Sequence, residues 1–172
     1  MKKIKFSLDA DNISRAIQEL YEYRQEVQRK CKLVVQRLTD LGCDIAKAKV
    51  VDLGAIYSGN LVSSISGYYS PTLSTGFVRV DADYGMFVEF GTGTKGKDSS
   101  HPSGEYLAEA NYSYMGGTTY VTLQDGRVGW FFPSDDGAWK FTEGQASRPF
   151  LWETARELEN RFAEVAREVF AE

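Results

Sequence analysis

The chain has 172 residues, of which 42% are hydrophobic and 26% charged, with 4 prolines and a formal net charge of −4. That composition suits one folded domain with its own apolar core, and it excludes a disordered or fibrous chain. The acidic balance also speaks against a general electrostatic grip on nucleic acid.

The opening Met1-Lys2-Lys3-Ile4-Lys5-Phe6 has the basic start of a secretory leader, but no apolar segment follows and no stretch could span a bilayer. Folding in a reducing cytoplasm is therefore expected. From Asn12 to about Leu41, Ile13, Ile17, Leu20, Val27, Cys31, Val34, Leu38 and Leu41 recur at steps of three, four or seven. This periodicity predicts a long amphipathic helix, capped by Asp11 or Asn12 and ended by Gly42. At about 45 Å it exceeds the usual globular helix, which suggests that it packs on neighbours as well as on its own fold. Cys31 and Cys43, if both helical, stand roughly 18 Å apart, beyond disulfide reach.

Lysines and arginines crowd the first fifty residues, whereas the last helix carries Glu153, Glu157, Glu159, Glu164, Glu168 and Glu172. Two solvated helix faces would explain this, and so would head-to-tail complementarity between subunits. The stretch from Cys43 to Ser58 is open to a helical or an extended reading. Leu61 to Tyr69 alternates as a strand does, Pro71 to Gly76 makes a turn, and Phe77 to Asp81 forms a second strand. Met86, Val88 and Phe90 predict a third strand of an antiparallel meander. Within that reading Glu89 and Asp81 face away from the apolar side, as solvated polar groups or intersubunit ion pairs.

Glycine, serine, threonine and lysine dominate from Gly91 to Ser103, predicting a loop or mobile arm. Thr118 to Leu123 and Arg127 to Phe132 flank Asp125-Gly126, a dipeptide suited to a tight hairpin turn. Ser134 to Gly144 reads as loop again. Pro149 then opens a terminal helix whose stripe is Leu151, Ala155, Leu158, Phe162, Val165 and Val169.

Few residues suggest chemistry. Gly91-Thr92-Gly93-Thr94-Lys95-Gly96-Lys97 matches the spacing of a phosphate-binding loop, but Asp98 stands where a hydroxyl should hold magnesium. His101 is the only histidine, so a histidine-rich metal site is excluded, and it reads as a loop residue beside Pro102. No Gly-x-Ser-x-Gly context surrounds any serine. Asp81, Asp83 and Glu89 could serve as a calcium site or paired carboxylates. Trp130 and Trp139, within an aromatic set from Tyr106 to Phe141, could stack on sugars but fit local core and subunit contacts better. No catalytic residue, metal ligand or cofactor-binding residue is assigned.

Three motifs follow the long helix in order: Ser58-Gly59-Asn60-Leu61-Val62-Ser63-Ser64-Ile65, Tyr84-Gly85-Met86-Phe87-Val88-Glu89-Phe90-Gly91-Thr92-Gly93 and Arg148-Pro149-Phe150-Leu151-Trp152-Glu153-Thr154-Ala155. Together they resemble the gene-ten-like family of siphophage neck and tail-completion proteins. Val62 departs from the usual basic residue, Gly85 from alanine and Thr154 from proline. The resemblance implies an α+β domain over residues 1–172, with a small antiparallel sheet packed by a long N-terminal helix and a C-terminal helix. An aromatic-rich loop and hairpin insertion falls at about 92–146. It also implies a non-enzymatic virion protein of the neck, made in the host cytoplasm. Its partners would be copies of itself in a ring, head-completion or adaptor proteins, and tail terminator or tube proteins. DNA would pass through the lumen without specific binding, and no membrane would be involved. The two readings from other classes are a small nucleotide-binding hydrolase using Gly91–Lys97 and a sugar-binding module.

Overall fold

The computed structural model describes residues 10–56, 59–115, 119–134 and 136–171. The fold is mixed α+β: a long N-terminal helix, small antiparallel sheets and a C-terminal helix. Lys2, Lys3 and Lys5, Ser58, Thr118 and Glu172, which figure in the sequence reading, lie outside the described residues.

Helix α1 runs from Ala10 to Asp52. It begins before Asp11 and Asn12, which are therefore not its caps, and it continues through Gly42. Of the segment left open by periodicity, Cys43 to Asp52 is thus its last turns, where Ile45, Ala46 and Val50 are buried, while Leu53 to Ile56 lies beyond the helix. Gly42 does not end the helix because its missing side chain is needed for packing. A Cβ there would stand 2.9 Å from Val78 Cγ2 and 3.0 Å from Leu158 Cδ1, so this is where α1 meets both the sheet and the last helix. Cys31 and Cys43 are free, the first exposed and the second buried.

Asn60 to Ser63 form a helical turn, α2, rather than the start of a strand. Strand β1 (Ile65–Ser70) then pairs antiparallel with β2 (Thr75–Val80), with Ile65 opposite Val80 and Ser70 opposite Thr75. This ribbon lies along α1: Lys32 Nζ sits 5.5 Å from the Tyr69 ring centre, and Gly67 comes close to Cys43 and Thr39.

The expected third strand is a helix, α3 (Gly85–Phe90). Its inward residues are Gly85, Val88 and Glu89, at helical steps of three and four, while Met86 is half exposed. The expected loop at 91–103 contains helix α4 (Gly93–Asp98), and α5 (Gly104–Glu109) follows, its Ser103 Oγ accepting from Tyr106 N at 3.4 Å. The hairpin at Asp125-Gly126 is present, as β3 (Val121–Thr122) paired with β4 (Val128–Pro133). The stretch expected as loop supplies another strand, β5 (Trp139–Thr142), which pairs antiparallel with β4 and makes the second sheet three-stranded. A short β6 (Gly144–Gln145) bridges back to Thr92 and Gly93.

Helix α6 (Phe150–Ala171) folds back antiparallel on α1. Lys49 reaches Glu153 at 3.4 Å and Glu157 at 3.3 Å near one end, and Lys30 Nζ reaches the Phe170 carbonyl at 3.5 Å near the other. Part of the basic and acidic bias read from the sequence is therefore satisfied within one chain. Phe162, expected on the buried stripe, is largely exposed, while Val165 and Val169 are buried. Among the described residues no helix is long and apolar enough to cross a membrane.

Candidate functional site

The buried core is assembled from all three sequence motifs. Leu61 and Ile65 from the first, Val88 from the second and Phe150 from the third form one cluster with Cys43, Ala46, Val50 and Ala55, and Leu151 packs against it. Gly59 precedes α2 with φ 79°, and Ser64 turns the chain into β1, its Oγ donating to the Leu61 carbonyl at 2.8 Å while its carbonyl accepts from Asp81 N at 3.2 Å. Tyr84 begins α3, its carbonyl accepting from Phe87 N and Val88 N. Ala155 is half-buried on α6.

Glu89 joins the second and third motifs directly. It is 5% exposed, in contradiction to the solvated position that strand alternation assigned it. Its Oε2 accepts from Leu151 N at 2.8 Å and its Oε1 from Trp152 N at 3.0 Å, the free amides of the first turn of α6. A helix beginning Arg148-Pro149-Phe150 carries no capping side chain of its own, since Pro149 contributes only its carbonyl, which accepts from Glu153 N at 2.9 Å. The carboxylate from α3 takes that place and meets the positive end of the helix dipole. Two bonds to α3 carbonyls lie alongside, from Arg148 N to Val88 at 2.9 Å and from the Ser147 hydroxyl to Glu89 at 2.6 Å.

His101 completes the node. It is the loop residue that the sequence suggests, between α4 and α5, but it is only 4% exposed, and its Nε2 lies 3.2 Å from Glu89 Oε1. His101 Nδ1 lies 3.1 Å from Ser103 N and 3.2 Å from the Ser103 carbonyl; in the tautomer in which Nδ1 accepts from Ser103 N, Nε2–H donates to the carboxylate. Burial pushes the Glu89 carboxyl above its ordinary range, and the Leu151 and Trp152 amides and His101 work against that shift. All the ring nitrogens and carboxylate oxygens of the pair are thus engaged within the fold.

Phe90 packs its ring 5.0 Å from His101 and 4.9 Å from Tyr112. Tyr112 donates its hydroxyl to the Gly91 carbonyl, and burial pushes that phenol up to about 12. Gly91 has φ 80°, and a Cβ there would stand 2.6 Å from Ser147 N, so the chain leaves α3 through a conformation and a gap that suit glycine alone. Thr92 Oγ1 accepts from Gln145 N at 3.2 Å. Gly93 N donates to the Tyr114 carbonyl at 2.8 Å and Lys95 N to the Glu143 carbonyl at 3.2 Å. Two of the amides that a phosphate-binding loop would turn to its ligand are therefore donated within the chain. Asp81 pairs with Arg79 at 2.7 Å on the surface, and no three acidic, histidine or cysteine side chains gather as a metal cluster among the described residues. Trp130 packs edge-on against Tyr120, whereas Trp139 is 68% exposed on β5.

Sequence reasoning missed the Glu89–His101 pair. The available signal was a lone acidic residue inside the apolar run Met86-Phe87-Val88-Glu89-Phe90, together with a downstream helix lacking a cap. In comparisons with family models, curated proteins and solved structures, the chain matches none of them.

Proposed function

We propose that this chain is a structural subunit of the neck of a long-tailed bacteriophage, which assembles into a ring and completes the joint between head and tail. On this reading it works in the virion, contacts head-completion or adaptor proteins on one side and tail terminator or tube proteins on the other, and passes DNA without reading it. The three-motif resemblance supports the family. The observation that carries the ring is the first third of α1. Helix α6 reaches Lys30 near its own end, and Ile13, Ile17, Leu20 and Tyr21, one face at helical spacing, are exposed beyond that point. Ile17 is 62% and Leu20 56% exposed, an apolar stripe of a kind that marks a protein contact. The product of such a chain is geometry rather than turnover.

Light scattering on the purified chain over a wide concentration range, with imaging of intact particles, tests the reading. A closed oligomer and its density at the neck are expected. A chain that stays monomeric throughout and is missing from particles overturns it.

A further inference from the structure

Between β2, α3, α5 and the start of α6 lies a cleft of about 730 Å³. Val80, Met86, Tyr106 and Trp152 give it apolar and aromatic walls, and Met86 and Tyr106 are about half exposed there. Its charge is one-sided. Asp83 and Glu109 stand on the lining, and Glu89 lies at its floor with both oxygens already engaged. Arg79, also on the lining, is held by Asp81 at 2.7 Å, and Arg156 lies on the Trp152 ring and pairs with Glu159. Strand β2, which contributes Val78, Arg79 and Val80, pairs only with β1 among the described strands, so a further extended segment could add to it.

The occupant that fits is a short basic and apolar segment. Such a segment exists in this chain at residues 2–6, Lys-Lys-Ile-Lys-Phe. Laid out as a strand, it would turn Lys3 and Lys5 to one side and Ile4 and Phe6, with Lys2 at the end, to the other. Lys3 and Lys5 match Asp83 and Glu109, and the apolar side matches the walls.

The segment cannot reach the cleft of its own chain. Val78, the lining residue that packs at Gly42, is about 48 Å from Ala10 along α1, taking residues 10 to 42 at 1.5 Å each. Lys2 is tied to Ala10 by a tether of at most roughly 29 Å, taking residues 2 to 10 at about 3.6 Å each. We infer that the segment around residues 2–6 of one copy docks in the acidic, aromatic cleft of the next copy. This inference rests on the ring reading and names a second contact between successive subunits, beside the α1 stripe.

Charge reversal on the full chain tests it. Sedimentation velocity is compared for wild type, the arm variant Lys3→Glu with Lys5→Glu, the cleft variant Asp83→Lys with Glu109→Lys, and the four changes combined. Each pair alone should weaken self-association at least about tenfold, and the combination should restore most of it, because like charges facing each other become opposite again. In parallel, a peptide of residues 1–9 titrated into wild type should alter tryptophan fluorescence through Trp152, and the cleft variant should not respond. Self-association untouched by the arm variant, or not restored by the combination, overturns the docking while leaving the ring intact. A peptide that fails to bind, or binds the cleft variant equally well, overturns it too. A wild type that never associates overturns the ring reading itself.

Discussion

Glu89 gathers three donors at a point with little access to water, and the cost of losing it follows from what each donor would then face. In Glu89→Ala the Leu151 and Trp152 amides and the His101 Nε2–H lose their acceptor, and each unsatisfied buried donor costs about 1–3 kcal/mol. We expect a loss of about 3 kcal/mol or more, read as a lower urea midpoint at unchanged slope. The pH dependence has a definite sign. Because the folded carboxyl titrates above its unfolded value of 4.5, the folded chain holds a proton there that the unfolded chain has released. Stability from this group is full below pH 4.5 and is lost as pH rises through the folded value. Wild type should therefore lose more stability than Glu89→Gln between pH 4.5 and neutrality, in urea titrations at both ends of the range. Equal losses in the two proteins would refute this account of Glu89.

At the scale of elements, Gly42 shows why a local rule failed. Glycine after an apolar periodic run signals a helix end, yet here the helix continues because Val78 and Leu158 close over the position from two sides. Gly42→Leu would force the sheet and α6 off α1 and should cost about 1–3 kcal/mol in thermal or urea unfolding. The elements that were legible, the body of α1, the β1–β2 ribbon, the Asp125-Gly126 hairpin and α6, carry their signal in periodicity or turn chemistry. The ones misread depend on distant partners. Met86, Val88 and Phe90 alternate as a strand does, but the same six residues as a helix direct Val88 and Glu89 inward, and only the α6 amides and His101 decide between the two. Residues 93–98 have poor helix propensity and form α4 where Gly93 fits against Glu143 and Trp130, and Gly96 against Gly91, Tyr114 and the Gln145 carbonyl, leaving no room for a side chain. Strand β5 is short and mostly exposed, so its identity comes from pairing with β4. Of the motif residues, Leu61, Ile65, Val88 and Phe150 were legible as apolar core; the capping role of Glu89 was not, since it spans more than sixty residues of sequence.

At the scale of the whole molecule the question is how a 43-residue helix serves a fold that covers only part of it. Helix α6 and the β1–β2 ribbon meet α1 from about Val27 onward, at contacts that include Lys32 with Tyr69, Lys30 with Phe170 and Gly42 with Leu158. Among the described residues only Ala16 is buried in the first turns, and Ile17 and Leu20 are exposed, so their stripe affects association more than folding. Ile17→Glu with Leu20→Glu puts two charges onto that stripe at positions already more than half exposed. Substitutions at such sites usually change folding stability by no more than about 0.5 kcal/mol each. In an interface they are severe, because a carboxylate taken out of water without a partner costs several kcal/mol. The double variant should therefore unfold within a few degrees of wild type by circular dichroism, while its dissociation constant for self-association rises at least about a hundredfold by light scattering, equivalent to about 2.7 kcal/mol. A variant that associates as wild type does would show that the stripe is not the ring contact; one that no longer folds would show that the chain itself depends on it.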